Sequence, residues 1–359
     1  MSRRALGGYE KVLGQRHPDT LTSMSNLALV LRDRGNFEEA EKMHRQAFEG
    51  RQQELGTQHP DTLASMGNLA LVFRDRRQVL QGREELLGRN HPSTLTSASN
   101  FALVLYERGK YDESEKLNRQ TLSGREEELG KRHPHTLISM GNLAMVLQDR
   151  GKYNGSEAMN RHLIGIYEQE LGIEHPNVLT SVSNLASVLQ DQGKYDEAER
   201  LNRRALENRE RVLGRQHPDS ITSLSNLAYT LRCQEKFSES ETLNRQALKE
   251  REEKLGLRHP DTLTSINNLA LVLRDQQKYT EAERLSRRAV QGIQHPDTLK
   301  SLNNLAVIMH RRERYEAAEK LYRRTLKGRR KKLGIHHVDT IRSIGDLASV
   351  WFRLPPTRR

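Results

Sequence analysis

The 359-residue chain has few of the residues that build disulfide-bonded, metal-binding or membrane-spanning proteins. Its single cysteine, Cys233, allows no intramolecular disulfide and no cysteine metal cluster. Hydrophobic residues make up 35% and aromatic residues 5% of the chain, little for a thick globular core. No stretch approaches the roughly 18 apolar residues of a spanning helix, and residues 1–14 lack the apolar run of a signal peptide. We therefore expect a soluble, cytoplasmic protein without a membrane span.

Motifs that carry catalysis are missing as well. The sequence contains no nucleophile elbow, no paired-carboxylate motif and no Gly-x-x-x-x-Gly-Lys-Ser/Thr phosphate loop. The adjacent pair His336-His337 lacks acidic or cysteine partners at ligand spacing. We predict that the chain is not an enzyme and that it holds no metal and no cofactor.

The positive charge is concentrated at one end of the chain. The formal net charge is +12, but residues 311–359 alone carry 15 Lys+Arg against 5 Asp+Glu. Within them, Lys327–Lys332 is a basic run that could contact nucleic acid or direct nuclear import. It could equally be a helix C-terminus, where cations complement the helix dipole. Nucleic-acid association through this end therefore stays an alternative function.

What the sequence does have is a repeat. The tetrapeptide His-Pro-Asp-Thr, or a close variant, recurs at intervals of 42 residues in six of eight cases, and at 32 and 36 in the other two. It starts at His17, His59, His91, His133, His175, His217, His259, His295 and His337.

Each repeat divides into two amphipathic helices, as residues 175–216 illustrate. The first half places Leu179, Val182, Leu185, Ala186 and Leu189 on one helical stripe. Proline suits its first turn, and a glycine follows at the turn between the halves. The second half, from Tyr195, carries a second stripe and ends at a glycine. The histidines therefore indicate helix starts rather than metal ligands, and each repeat predicts a helical hairpin that must stack on its neighbours.

These pieces resemble a known family. Small residues at Ala186, Ala198 and Ala205, with Gly193 and Tyr195, resemble the tetratricopeptide repeat. The 42-residue version is similar to the repeats of kinesin light chains and to the arrays that follow nucleotide-binding domains in fungal immune-receptor-like proteins. The resemblance implies an all-α fold, a right-handed α-solenoid of stacked hairpins with about 18 helices, whose first helices line a concave groove. The heptad coiled coil of kinesin light chains is absent from this sequence.

The repeat pattern predicts the following organisation. Residues 1–16 match the second helix of a preceding repeat, residues 17–336 hold eight repeats, and residues 337–359 hold the first helix of a ninth with a basic tail. The repeats at 59–90 and 259–294 are shortened, and in the first of them only about 78–87 remain of the second helix. We expect a local kink or softer packing at both places. Neither end resembles a polar capping helix, so we expect a piece of a longer array or a degenerate gene product.

Two recurring positions are candidates for ligand contact. One is an asparagine beside the apolar stripe of the first helix, replaced by Asp346 in the last repeat; its amide offers one acceptor and two donors. Each such amide could instead bond to a neighbouring helix and fix the stacking. It is found at Asn26, Asn68, Asn100, Asn142, Asn184, Asn226, Asn268 and Asn304.

The second candidate position follows six residues later and varies from repeat to repeat. A position that differs between otherwise similar repeats is what selective recognition of a ligand's side chains requires, although solvated surface residues vary in the same way. The position holds Arg32, Arg74, Tyr106, Gln148, Gln190, Arg232, Arg274 and His310. Three of these arginines precede an aspartate, so their charge largely cancels.

We therefore predict a non-catalytic interaction scaffold that binds a peptide or protein in the groove. By resemblance it is the recognition array of a larger receptor-like protein, and the alternative within this class is a kinesin-light-chain-like cargo adaptor.

Overall fold

The computed structural model describes residues 2–56, 59–257, 259–291, 298–333, 335 and 338–353. These residues form 17 α-helices. The helices are α1 Ser2–Leu13, α2 Pro18–Asp33, α3 Phe37–Glu54, α4 Pro60–Leu87, α5 Pro92–Glu107, α6 Tyr111–Leu129, α7 Pro134–Asp149, α8 Tyr153–Leu171, α9 Pro176–Asp191, α10 Tyr195–Leu213, α11 Pro218–Cys233, α12 Phe237–Leu255, α13 Pro260–Asp275, α14 Tyr279–Gln291, α15 Thr298–Arg311, α16 Tyr315–Leu333 and α17 Val338–Trp351.

Helices that are consecutive in sequence pack against each other from α1 to α7 and from α9 to α17, so the predicted all-α fold of stacked hairpins is confirmed. By contact density the chain divides into an N-terminal unit, residues 1–159, and a C-terminal unit, residues 160–359. In the C-terminal unit, Leu185, Ala186 and Leu189 of α9 pack on Ala198 of α10, and all four are buried. The two alanines allow the close approach of the helices that the sequence predicts. In the N-terminal unit, Met24 and its neighbours in α2 pack in the same way on the alanines of α3.

The repeated histidine caps the first helix in the seven repeats where the structure describes it. In α2, the His17 ring Nδ1 accepts a hydrogen bond from the backbone N–H of Asp19 at 3.2 Å, and Pro18 occupies the first turn. This cap satisfies a backbone donor that the helix itself leaves without a partner. The same cap begins α4, α5, α7, α9, α11 and α13. The predicted helix-start role is confirmed there, while His295 and His337 lie outside the described residues.

The turn between the two helices of a hairpin needs a residue in the left-handed region. Glycine fills this place in several repeats, as at Gly193 with φ +76°. Three later repeats place a side chain there instead: Glu235, Gln277 and Glu313 have φ between 61° and 63°. A Cβ in this region costs roughly 1 kcal/mol relative to glycine. These three turns are therefore strained.

A buried arginine near the end of five second helices, α3, α6, α10, α12 and α16, links one repeat to the next, whereas α8 has Tyr167 at this place. Arg251 of α12 is 8% exposed and donates to the Ser265 hydroxyl of α13 at 2.7 Å and to the Asp261 carbonyl at 3.4 Å. Burial lowers the pKa of the Arg251 guanidinium, and the charge of Asp261 only partly opposes this shift. We call this contact the arginine link. Buried links join Arg51 to Ser65, Arg125 to Ser139, Arg209 to Ser223, Arg251 to Ser265 and Arg329 to Ser343.

The two shortened repeats differ from each other. In the first, the residues expected as a short second helix, 78–87, continue the first helix without interruption, so α4 spans 28 residues. The reason is that the glycine turn is deleted and three of the four residues at the junction, Arg74, Arg76 and Arg77, are good helix formers. A cavity of about 460 Å³ lies beside it, lined by Phe37, Arg76 and Val79 among others. The merged pair accounts for 17 helices where about 18 were predicted. In the second shortened repeat, α14 has 13 residues instead of 19.

The strained turns predict an increase in stability on substitution. Replacing Glu235 by Gly should raise the free energy of unfolding by roughly 0.5–1 kcal/mol, because glycine adopts φ +62° without a Cβ clash. Urea unfolding followed by helical circular dichroism measures this change. The reciprocal substitution Gly193→Glu is the matched control and should lower stability by a similar amount. Equal stability of Glu235→Gly and the parent chain would contradict the interpretation of strain.

A buried histidine predicts a pH-dependent loss of stability in the N-terminal unit. His44 of α3 is fully buried, and burial together with the charges of Arg32 and Arg51 lowers its pKa to about 4. The ordinary value is 6.5, so the unfolded chain binds this proton more readily between pH 6.5 and 4. Stability due to neutral His44 is complete above pH 6.5 and falls as pH drops to 4, by up to roughly 3 kcal/mol.

Replacing His44 by Asn tests this effect, because asparagine fills the equivalent place at Asn118, Asn202 and Asn244. The urea midpoint of His44→Asn should depend less on pH between 6.5 and 4 than that of the parent chain. Identical pH profiles of the two proteins would show that His44 does not titrate as described.

Candidate functional site

The recurring asparagines lie on the accessible side of the first helices. Asn26 and Asn184 are exposed, and the other six are half-buried. Their positions are fixed by the apolar stripe beside them. For example, Leu185 and Ala186, the two residues that follow Asn184, face the core. The amide side chains are therefore within reach of a ligand.

These amides do not hold the hairpins together. Among the residues that the structure describes, none of the eight side chains has a hydrogen-bond partner. The alternative interpretation, in which each amide bonds to a neighbouring helix, is not supported by these contacts. Asp346, at the same place in the last repeat, does have a partner in Asn303, and burial raises its pKa.

Successive first helices lie next to each other within each unit. In the C-terminal unit α9 contacts α11, α11 contacts α13 and α13 contacts α15. In the N-terminal unit α5 contacts α7. Equivalent residues on these helices therefore form rows that cross from helix to helix. We call the surface that carries these rows the first-helix face, defined in the C-terminal unit by Asn184, Asn226, Asn268 and Asn304.

A row of mostly apolar residues lies on this face beside the asparagines. It follows each asparagine by three residues, one helical turn away on the same side. Met145 is 36% and Tyr229 is 48% exposed, high values for such side chains. The sequence signal was available, because this position varies more than the positions on either side of it. The row contains Leu29, Leu71, Leu103, Met145, Ser187, Tyr229, Leu271 and Val307.

The predicted variable position, three residues further on, is not a row of free side chains. The Arg232 guanidinium pairs with Asp275 of the next first helix at 2.6 Å, and the Tyr106 hydroxyl donates to Asp149 at 2.5 Å. Burial and this hydrogen bond raise the pKa of Tyr106. Several of the side chains that differ at this position therefore make contacts between repeats. The sequence alone did not predict these contacts.

The remaining variable residues are also engaged where the structure describes them. Arg32 pairs with Asp33 and Arg274 with Asp275, so the predicted local cancellation of charge is present. Gln190 donates to the Thr230 hydroxyl at 2.5 Å, Gln148 has a polar partner as well, and the His310 ring contacts Tyr315. The side chain of Arg74 lies outside the described residues.

The basic run near the C-terminus is partly inside the fold. Arg329 is 8% exposed and donates to the Ser343 hydroxyl at 2.7 Å and to the Asp339 carbonyl at 3.0 Å. It makes an arginine link, so its charge is not presented to a ligand. Arg330, by contrast, is exposed, and the side chains at 331 and 332 lie outside the described residues.

Two further properties of the described residues bear on the predicted function. No group of three or more histidine, cysteine or acidic side chains is arranged to hold a metal ion in that part of the chain. No helix there is long and apolar enough to cross a membrane.

Comparisons with known proteins place this geometry in a family. Tetratricopeptide repeat models match residues 20–61 and, in overlapping segments, residues 74–127, 93–169, 135–207, 177–253, 219–295, 261–331 and 297–354. No curated protein sequence is significantly similar to the chain.

Solved structures provide two further likenesses. The nearly identical TPR-like repeats of a proposed kinesin light chain from Podospora anserina are 26% identical, with 56% of this chain and 95% of that chain covered and a TM-score of 0.50. A tetratricopeptide repeat protein from Parabacteroides merdae shares the fold at 12% identity, with 92% of this chain and 98% of that chain covered and a TM-score of 0.55. Because the family models match most of its length, the chain belongs to the tetratricopeptide repeat family.

Proposed function

We propose that the first-helix face binds an extended segment of a protein partner. Tetratricopeptide repeats typically mediate protein–protein interaction and are generally non-catalytic, which agrees with the motifs that the sequence lacks. The observation that carries the proposal is the row of accessible amides without partners in the described residues. An amide that serves neither the core nor the stacking is available to the backbone of a ligand.

The spacing of the face fits such a ligand. Packed helices lie about 8–10 Å apart, and an extended peptide advances about 3.3 Å per residue. One asparagine therefore serves about three peptide residues, accepting from an N–H or donating to a carbonyl. The apolar row beside it takes side chains of the peptide. Residues of this apolar row differ between repeats, as Ser187 and Tyr229 do in consecutive repeats. These differences, more than those at the variable position, give the face its selectivity.

The biological context is inferred from the length and pattern of the repeat. The 42-residue repeats resemble the recognition arrays of receptor-like proteins, and we propose that role in the cytoplasm. The likeness to the repeats of the Podospora protein favours a cargo adaptor as the second candidate. Both candidates use the same face, so the experiment below tests the face itself.

Replacing Asn184 and Asn226 by Ala together should weaken binding of a peptide partner by roughly tenfold. Two lost hydrogen bonds at about 0.5–1.5 kcal/mol each give this magnitude. A random peptide library displayed on phage is selected against the full chain, and a selected peptide is then titrated by fluorescence anisotropy. The variant should keep its helicity and urea midpoint, because neither amide has a partner in the described structure.

Lys249→Ala, an exposed change on the second helix α12, is the matched control and should bind like the parent chain. Selected peptides that bind the double variant and the parent chain equally well would remove the first-helix face as the site.

A further inference from the structure

A cluster of arginines lines an open cavity in the C-terminal unit, away from the first-helix face. The cavity has a volume of about 500 Å³ and lies between α14 and the turn that joins α15 to α16. Its lining contains five arginines and one glutamate, so the net charge of the lining is +4. The lining residues are Thr280, Glu283, Arg284, Arg287, Arg288, Arg312 and Arg314.

Three of the arginines share a single buried carboxylate. Glu283 is 8% exposed and accepts from Arg287 at 2.9 Å, from Arg312 and from Arg314 at 3.4 Å. Burial opposes ionisation, but the three guanidinium groups lower the pKa of Glu283. It therefore carries a full negative charge at neutral pH, and this one charge leaves the cluster strongly positive.

The other two arginines have different surroundings. Arg288 pairs with Glu252 of the preceding second helix at 2.6 Å. Arg284 is exposed and has no hydrogen bond or ion pair to any residue that the structure describes. Arg314, one of the three arginines that share Glu283, is 51% exposed and lies 3.4 Å from the Glu283 carboxylate. The cavity thus presents donors that the protein itself does not satisfy.

The preceding repeat provides an internal comparison. There, Glu241 is held by Arg245 and Lys278 in the same arrangement. The places of Arg284, Arg288 and Arg312 are taken by Thr242, Gln246 and Gln276. There the carboxylate is held by two cations and the uncharged Gln276 amide, and in an earlier repeat Glu115 is held by three cations. Within the cluster, Arg284 makes no contact that holds helices together among the described residues.

We propose that this arginine cluster binds a phosphorylated side chain of a protein partner. A phosphate monoester carries close to two negative charges and three acceptor oxygens, which suits several guanidinium forks converging on one cavity. Clusters of arginine recognise phosphorylated motifs in this way. Nucleic acid fits less well, because it needs a continuous basic track. Here the excess of positive charge is confined to one cavity. The neighbouring acidic residues, Glu252 and Glu281, are each paired with an arginine.

The test uses a degenerate peptide library with one central phosphoserine, titrated into the full chain by fluorescence anisotropy. The phosphorylated library should bind at least about tenfold more tightly than its unphosphorylated form. Arg284→Thr with Arg312→Gln, which restores the residues of the preceding repeat, should abolish this difference while the circular dichroism spectrum stays unchanged. Adding Thr242→Arg and Gln276→Arg to that variant should restore it by rebuilding the site one repeat earlier.

Asn184→Ala with Asn226→Ala is the matched control and should bind the phosphorylated library like the parent chain, which separates this site from the first-helix face. Three results would overturn the proposal. One is unchanged binding by the Arg284→Thr, Arg312→Gln variant. A second is equal binding of a library with glutamate in place of phosphoserine, which would indicate general affinity for acidic peptides. The third is displacement of the phosphorylated library by random single-stranded RNA at lower concentration, with the same dependence on Arg284 and Arg312.

Discussion

The arginine link is the contact that fixes one repeat to the next at five junctions of the described chain. A lone hairpin cannot bury its apolar stripe, so each repeat must be fixed to the next one. The guanidinium of Arg251 does this by crossing from α12 to a serine hydroxyl and a main-chain carbonyl at the start of α13. Hydrogen bonds from a charged donor contribute about 1.5–3 kcal/mol each. Removing the serine leaves a buried charge without its main acceptor, which costs more still.

The link also explains why the first-helix face is free for ligands. Adhesion between repeats is carried by the arginine links, by the ion pairs of Glu199 and Glu241 with lysines of the next repeat, and by contacts at the ends of the first helices such as Arg232 with Asp275. Burial disfavours the Glu199 carboxylate, yet its bonds to Lys236 and Arg203 lower its pKa to about 2, so this pair persists in mild acid. Since these contacts fix the stacking, the asparagines of the first helices have no structural task in the described residues. The arginine cluster shows a different case, in which a stacking contact is joined by Arg284, an exposed arginine without a partner among the described residues.

The sequence predicted those features that follow local rules. The 42-residue period, the histidine helix starts, the glycine turns and the small residues at Ala186 and Ala198 each depend on a few neighbouring residues, and all are confirmed. The arginine links were missed because an arginine in a highly charged helix is indistinguishable from a solvated one in sequence. The uninterrupted α4 was missed because the expected helix boundary relied on the repeat pattern, although the turn residues themselves are deleted. The pairing of Arg232 with Asp275, 43 residues away, depends on helix stacking that no local pattern contains.

The most direct test of this account is a double-mutant cycle on one arginine link, with Arg251→Met, Ser265→Ala and the two combined. Urea unfolding of the four proteins yields the coupling energy between the two side chains. The account predicts a coupling of at least about 1.5 kcal/mol. Either substitution alone breaks the hydrogen bond, so adding the other substitution lowers the free energy of unfolding only a little further. Single effects that simply add would contradict the claim that this link holds successive repeats together.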